Sequence, residues 1–417
     1  MKPPRRRRRT NWAYLLVQVV LVLFPVAYVA MDVGYSYLFR ERYYGGIGDA
    51  IGSLFDAVVL VWAFAVGACL GSFLNVVALR APRGETIGGG SYCPYCAVPI
   101  RPRDNLPILG WLSLRGRCYV CRLPISPRYM IIEIIAGTLV CAVVAAQVVY
   151  GGINLPLDGY QAQSPARLVM RWDSLLIGRT LYYVLTLLYL MTVALVVGNR
   201  MRLPPAMVIT GWLLAIVPAL AYPPLLIFHW KSGSMRPLAG QELYLAGLMT
   251  VITGVIVGIL VARGTLISLY PKADPKLLGS HPETKQAYDW IWQWAWLGAV
   301  FGWQGALGTA LVWCLVLAFI YPWIRRWDFP LTFPPTLLFV AATLHLLLWS
   351  PLLKVPFWPG SQWGFWGALF TLIISMILTR LLVDREWQRL SEESLTDSQS
   401  FSAVVSLPSD SSLDETE

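Results

Sequence analysis

The chain is poor in charge and in histidine. Charged residues make up 13% of its 417 positions, whereas a soluble domain usually carries about 25%. Hydrophobic residues reach 57%, so lipid rather than water is expected around most of the chain. The three histidines, His229, His281 and His345, form no metal-spaced pair. No glycine-rich phosphate loop appears either. These absences argue against a soluble protein, a histidine-based metalloenzyme and a dinucleotide-binding enzyme.

Long apolar runs predict an all-α polytopic membrane protein. A helix needs roughly 20 apolar residues to cross the hydrocarbon layer, and about ten runs qualify. They are 12–31, 54–79, 130–149, 180–198, 205–228, 241–262, 290–304, 306–324, 335–352 and 362–383. The pair 290–304 and 306–324 is short, and one long tilted helix there would reverse the side of every later segment.

The basic residues orient this bundle. Arg5 to Arg9 stand directly before the first run, which by the positive-inside rule places the N-terminus in the cytoplasm. With ten spans the C-terminus is cytoplasmic too, and three quarters of the 33 Lys and Arg residues fall in cytoplasmic segments. The net charge of +10 is then an orientation signal, and a nucleic-acid partner is not needed to explain it. The run 12–31 is longer than a signal-peptide core and lacks a cleavage site, which favours a retained signal anchor.

Four of the seven cysteines form a compact pattern in the cytoplasmic segment 80–129. Cys93 and Cys96, then Cys118 and Cys121, give two CxxC pairs. Two such pairs can complete a tetrahedral four-sulfur shell, and the reducing cytoplasm disfavours disulfides. The pattern predicts a structural Zn²⁺ site; the alternative is four reduced cysteines without a metal. The remaining three, Cys69, Cys141 and Cys314, lie inside apolar runs and are predicted to be small buried hydrophobes.

The same segment carries arginine but no lysine. Its arginines outnumber its two acids, Glu85 and Asp104, so the segment is strongly basic. It is predicted to dock on anionic membrane lipid.

The residues of this segment resemble one known family. The resemblance runs through Ala68–Val77, Cys93–Cys96, Asp104–Pro107, Gly110–Leu112, Arg115–Cys118, Cys121, Ile125–Ser126, Arg128–Tyr129 and Glu133. In order and spacing, residues 67–137 are similar to the N-terminal domain of the type IV prepilin peptidases, which are bifunctional leader peptidases and N-methyltransferases. The resemblance implies that the four-Cys module is an insert between the first two family helices, and that the span 12–31 is an additional helix.

What the resemblance implies about function has two parts. The family cleaves basic leaders from prepilin-like proteins as an aspartic endopeptidase of the cytoplasmic (inner) membrane. It also methylates the new N-terminus with S-adenosylmethionine, for which Arg115 and Glu133 are the candidate binding residues here. Prepilin-like or pseudopilin-like proteins, or a pilus or secretion apparatus, are the implied partners.

The aspartates of the family pattern are hard to find in this chain. One family motif has aspartates before a Leu-Pro pair, which is here Leu203-Pro204. Alignment on this pair puts the two preceding family aspartates at Val197 and Asn199. The other follows a GxGD turn, and the candidate is Asp289, although Gln286 and Tyr288 replace the glycines. Peptide hydrolysis needs two carboxylates with different protonation states. The catalytic candidate Asp289 therefore lacks a partner.

Two further acids lie inside apolar runs, Glu133 and Glu242. Arg128 is expected to pair with Glu133 near the interface, and Glu242 is expected on the opposite, external side from Asp289. Three functions stay open. They are a proteolytically inactive protein with a binding or assembly role, an active peptidase and methyltransferase with a non-standard acid pair, and a methyltransferase alone.

Five segments are predicted. Residues 1–53 form a basic N-terminus with the extra helix and an external loop, and residues 54–149 form the peptidase N-terminal domain with the module at 80–129. Residues 150–350 form a helical bundle, 351–390 an extra C-terminal helix, and 391–417 a disordered acidic, Ser-rich tail.

Overall fold

A computed structural model describes residues 19–20, 23–32, 47–155, 173–199, 201–227, 241–270, 282–326, 333–355, 358–359 and 365–382. The basic stretch Arg5 to Arg9, the histidines His229 and His281, and the predicted tail 391–417 lie outside these residues. The five segment boundaries remain predictions. Within the described residues the backbone is helical, and its β-structure consists of two isolated bridges.

Ten α-helices make up the described part of the chain. They are α1 (Leu23–Asp32), α2 (Ile47–Arg80), α3 (Leu109–Leu114), α4 (Arg128–Val144), α5 (Ser174–Gly198), α6 (Pro205–Ala221), α7 (Gln241–Leu269), α8 (Pro282–Arg326), α9 (Phe333–Leu353) and α10 (Phe365–Leu382). A π-helical turn, Ala145–Val149, extends α4. The short helix α3 belongs to the cysteine module between α2 and α4.

Most of these helices are suited to lipid. Six described helices are long and apolar enough to cross a membrane, and three shorter apolar ones accompany them, at Leu23–Asp32, Pro205–Ala221 and Leu369–Leu381. The all-α polytopic class with a four-Cys insert is confirmed. The number of crossings remains a prediction.

The helix α8 folds back on itself at Gly302. This residue has φ 70° and ψ 176° inside an otherwise helical run, a conformation that glycine adopts without steric cost. The rings of Trp290 and Trp313 are 5.4 Å apart, whereas 23 residues of straight helix would separate them by about 34 Å. The two halves of α8 are therefore antiparallel, as the separate runs 290–304 and 306–324 suggested.

The first half of α8 packs on α7 with almost no side chain between them. A Cβ atom built at Gly254 would lie 1.9 Å from the carbonyl oxygen of Gly298, and one at Gly258 would lie 2.1 Å from that of Trp294. Close approach of small residues is the usual way that membrane helices gain packing energy. The contact fixes the depth of α8 in the bundle.

The tryptophans of α8 are core residues. Trp290, Trp294 and Trp296 are fully buried, although tryptophans of membrane helices are enriched at the bilayer interface. The Trp290 indole N–H donates to Thr265 Oγ1 at 3.0 Å, and the Trp296 indole N–H donates to the Gly211 carbonyl at 2.7 Å. For these two, partners inside the bundle replace the water of the interface.

Single side chains can also be placed. His345 is fully buried, hydrogen-bonds Thr309 through Nδ1 at 3.3 Å and contacts the ring of Trp349. Cys314 is buried as predicted, and Cys141 is half-buried. Cys69 is exposed, so its prediction is wrong. It lies on a face of α2 that no other described helix covers.

The Gly254–Gly298 contact gives a direct test of the packing. Gly254→Ala should destabilise the protein by about 1–3 kcal/mol, because the added methyl group has no room. The matched control is Gly52→Ala in α2, where a Cβ atom meets nothing within 4 Å. Thermal unfolding of detergent-solubilised protein, followed by tryptophan fluorescence, should show a lower midpoint for Gly254→Ala alone. Equal midpoints for the two variants would contradict the close helix contact.

Candidate functional site

The module between α2 and α4 contains two copies of one cysteine turn. In the first copy the N–H of Cys93 donates to Val98 O at 3.0 Å, and an isolated bridge pairs Tyr92 with Pro99. The residue after the second cysteine, Ala97, has φ 55°. This positive φ lets the chain turn sharply around the sulfur atoms.

The second copy repeats this geometry. The N–H of Cys118 donates to Leu123 O at 3.0 Å, Arg117 pairs with Pro124, and Arg122 has φ 63°. Each turn brings the two sulfurs of its CxxC pair to one side. The spacing of the cysteines therefore encodes two like knuckles.

The two knuckles meet sulfur to sulfur. Cys93 Sγ lies 3.8 Å from Cys121 Sγ, and Cys96 Sγ lies 3.9 Å from Cys118 Sγ. All four sulfur atoms lie within 4.8 Å of one another. A tetrahedron with metal–sulfur bonds of about 2.3 Å has edges of about 3.8 Å. The four residues therefore fit a closed tetrahedral metal site, and no disulfide joins them.

One ligand is held ready as a thiolate. The backbone N–H of Val120 donates to Cys118 Sγ at 3.4 Å. This donor, helped by the other thiols, lowers the pKa of Cys118 to about 6. A thiolate is the form of cysteine that binds a metal.

Glu133 connects the module to α4. Its Oε2 accepts the backbone N–H of Ile108 at 2.6 Å, and Ser72 also hydrogen-bonds its side chain. Ile108 stands at the N-terminus of α3 with φ 61°, an unusual value for a β-branched residue. The expected ion pair between Glu133 and Arg128 is wrong. Arg128 instead donates to Asn199 Oδ1 at the end of α5.

Arg115 lies at the other end of α3 from the residue that Glu133 binds. It is exposed, has φ 53° and ends the helix. Trp111 packs over the next residue, Gly116, and donates its indole N–H to Ile125 O at 3.0 Å. Glu133 contacts the start of α3, and Arg115 lies at its end. The six residues of α3 therefore lie between these two candidate residues for S-adenosylmethionine. Their role in binding it remains a prediction.

Several arginines of the module serve its internal structure. Arg80 lies over the ring of Tyr92 at 5.4 Å. Arg101 lies 3.6 Å over the ring of Tyr119 and 3.7 Å from Asp104. Others, among them Arg83 and Arg103, are exposed. The exposed arginines are available for contact with anionic lipid, and docking on lipid remains a prediction.

Asp289 lies at the end of the bundle that carries the module. It is half-buried in α8, and the charge that acts on it is the guanidinium of Arg202, just after the end of α5. Among the described residues, no carboxylate exerts a comparable effect on it. Glu242 is exposed in the first turn of α7. Thr265, near the other end of α7, accepts a hydrogen bond from Trp290, the residue after Asp289.

The position predicted for the partner acid is apolar. Val197 is 4% exposed and belongs to a cluster with Val193, Val196, Leu203 and Met207, against which Trp292 packs. Trp292 stands three residues after Asp289 in α8. Asn199, the second candidate position, is half-buried, ends α5 and accepts from Arg128. Val197 therefore lies in a cluster that contacts α8 through Trp292, and its correspondence to a family aspartate remains a prediction.

A pair of acids that sequence reasoning did not consider lies elsewhere. Asp56 of α2 is 7% exposed, and its charge interacts with that of Asp32 in α1. Ser53 Oγ donates to Asp32 Oδ2 at 2.6 Å. The 24 residues from Asp56 to Arg80 span about 36 Å of helix, so this pair lies far from the module and from Asp289. The sequence does contain a signal for this pair, namely an acidic residue within each of two apolar helices.

Comparison with known proteins agrees with the class defined so far, a helical membrane protein with a four-Cys module. A sequence model of the bacterial peptidase A24 N-terminal domain matches residues 65–147. The chain is 43% identical over 86 residues to a prepilin leader peptidase/N-methyltransferase of Myxococcus xanthus, and 46% identical over 83 residues to one of Klebsiella pneumoniae. It is 37% identical over 102 residues to a type 4 prepilin-like proteins leader peptide-processing enzyme of Escherichia coli.

These matches cover a limited part of each protein. They include 20%, 18% and 20% of this chain, and 26%, 36% and 38% of the respective relatives. No solved structure matches the chain significantly. Residues 65–147 therefore match the N-terminal domain of the bacterial peptidase A24 family. The predicted resemblance of this region to the prepilin peptidases is confirmed.

The four-sulfur site can be tested by its metal content. Cys93→Ser should lose the bound metal, because serine supplies no thiolate for the fourth position. Purified wild type should contain about one zinc ion per chain by elemental mass spectrometry. Cys69→Ser, which changes an exposed cysteine outside the cluster, should keep it. Equal zinc contents for both variants would argue against the site.

The Glu133–Ile108 hydrogen bond can be tested by proteolysis. Glu133→Ala leaves the Ile108 N–H without its acceptor, at a cost of about 1–3 kcal/mol. Trypsin should then cleave after Arg115 or Arg117 faster than in the wild type. Glu242→Ala, which removes an exposed acid, is the control. Unchanged cleavage rates in Glu133→Ala would mean that the module does not depend on this bond.

Proposed function

We propose that the chain is a prepilin-peptidase-like membrane protein that binds prepilin-like proteins, or takes part in their assembly, without cleaving them. It lies in the cytoplasmic membrane, with the module and both termini in the cytoplasm. The family membership of residues 65–147 supports the partner class. The relatives' activities do not transfer directly, since the matched regions cover less than half of each relative.

The observation that carries this proposal is the surroundings of Asp289. Hydrolysis by acid–base catalysis needs one carboxylate to activate water and a second to protonate the leaving amine. Two acids in close proximity also set each other's protonation state. The charge that acts on Asp289 is the cation Arg202, and the predicted partner position, Val197, lies in an apolar cluster against which Trp292 of α8 packs. A valine offers neither a proton nor an acceptor.

We further propose that the ion held by Cys93, Cys96, Cys118 and Cys121 is zinc, with a structural role. Four sulfur ligands close the coordination shell, so no position is left for a substrate or water. The ion would supply folding free energy to a loop with a small core of its own. The cytoplasm keeps such cysteines reduced and available.

The alternative is an active peptidase that uses an acid pair not recognised in the sequence. The test is to incubate membranes containing the wild type or Asp289→Asn with a prepilin-like substrate, and to determine the substrate's N-terminus by mass spectrometry. Both proteins should leave the leader attached, because a single acid cannot fill both catalytic roles. The E. coli relative, run in parallel, serves as a candidate positive control.

Two outcomes would overturn the proposal. If the wild type releases the leader and Asp289→Asn does not, then Asp289 has a functional partner and the protein is a peptidase. Leader release by both proteins would place the activity on other residues and would equally contradict a non-proteolytic role.

A further inference from the structure

Gln293 is a buried amide without a hydrogen-bond partner. It is 1% exposed, and neither its Oε1 nor its Nε2 bonds to any group in the described part of the chain. The amide offers two donors and an acceptor. Gln293 is one of several buried side chains in the described part of the chain with an unpartnered polar atom, and such a group calls for an ordered water or a ligand.

Its position relates it to the candidate site. Gln293 follows Asp289 by four residues on α8, so the two side chains share one helix face. The rise between them is about 6 Å, directed into the bundle. Asp289 is half-buried at the end that carries the module. A ligand that enters beside Asp289 therefore reaches Gln293 one helical turn further in.

The chain contains a matched amide that has no such connection. Gln147 is fully buried in the π-helical turn after α4, and both of its polar atoms also lack a partner among the described groups. It lies 19 residues, or about 28 Å of helix, beyond Arg128. Gln147 is thus equivalent to Gln293 in chemistry and burial, but it lies near the end of the bundle remote from the module.

We propose that the Gln293 amide binds a backbone peptide group in the N-terminal segment of a prepilin-like protein. Its Nε2 would donate to a carbonyl oxygen of the bound segment, and its Oε1 would accept an N–H. A primary amide suits this ligand because it presents the same donor and acceptor as a peptide group. This inference rests on the proposed function, since it assumes that such a segment binds.

The low polarity of the surroundings explains why the contact matters. A segment that is not helical at this depth cannot satisfy its peptide groups with water, and lipid offers no replacement. A buried side chain with unused donors and acceptors can supply both bonds. The neighbouring Trp290 is fully buried and donates to Thr265 of α7, so its indole is engaged there and does not bond to Gln293.

The experiment compares binding and stability in two matched variants. Gln293→Met and Gln147→Met each replace the amide with an unbranched apolar side chain of similar size. The probe is a synthetic peptide with a basic leader followed by the first apolar residues of a type IV prepilin. Its affinity is measured on purified protein in nanodiscs by fluorescence anisotropy. Gln293→Met should bind at least about tenfold more weakly than the wild type, and Gln147→Met should bind equally well.

Stability measurements separate a lost ligand contact from a damaged fold. Both variants should unfold at the same temperature as the wild type or higher, because each removes an unsatisfied buried amide. If Gln293→Met unfolds earlier, Gln293→Leu is measured in its place. If Gln293→Met and Gln293→Leu both unfold at a lower temperature than the wild type, the amide has a partner within the fold and the inference is contradicted.

The remaining outcomes distinguish the two proposals. If the wild type and Gln293→Met bind the peptide equally well, the amide holds a water molecule and the inference is wrong, while the proposed function stands. If the wild type does not bind the peptide at all, the proposed function itself is contradicted. Weaker binding in Gln147→Met to the same degree would show a general effect of losing a buried amide and would overturn the assignment to Gln293.

Discussion

Lipid supplies no hydrogen bonds, and this constraint shapes every described part of the bundle. Backbone groups are satisfied within helices, and hydroxyl groups bond to the preceding turn, as Thr192 does to Leu188 O and Thr250 does to Ala246 O. The indole groups of Trp290 and Trp296 find partners on facing helices. Against this background a polar side chain without a partner is conspicuous, and an unpaired acid would be costly.

The same constraint bears on Val197, the predicted position of the partner acid. Two carboxylates in one partly buried site repel each other unless a proton or a cation relieves them, so an acid pair is maintained at a cost in stability. Valine at this position packs with Leu203 and Met207 and needs no hydrogen-bond partner. Asp289 is half-buried, and the charge that acts on it is that of Arg202. The apolar cluster at Val197 is therefore satisfied by packing alone.

The spacing of residues predicted the all-α membrane class, the A24-like domain at residues 65–147 and the cluster of four cysteines. The CxxC pairs place sulfurs by local turn geometry alone, so Cys93 and its three companions could be recognised without a structure. The length of apolar runs located most helices in the same way. The fold-back at Gly302 was also anticipated, because the runs on either side were separate.

Which side chains of different helices and loops contact each other could not be predicted from the sequence in this way. Glu133 lies five residues from Arg128 in sequence, yet the docked loop presents the N–H of Ile108 to it, and Arg128 reaches α5 instead. Trp294 is buried, and Cys69 is exposed, because neighbouring helices cover one face of each helix and not the other. These outcomes depend on tertiary contacts between distant segments, which neither composition nor periodicity encodes.

The metal site and the helical bundle are coupled through strained backbone. The four non-glycine residues with positive φ in the described part of the chain, Ala97, Ile108, Arg115 and Arg122, all lie in the module. Such conformations cost of order 1–3 kcal/mol each and persist only where surrounding contacts impose them. Ala97 and Arg122 adjoin the cysteines, so metal binding can offset their strain, whereas Ile108 is held by Glu133 of α4. An ion held by the four sulfurs would stabilise one side of the module, and Glu133 of α4 stabilises the other.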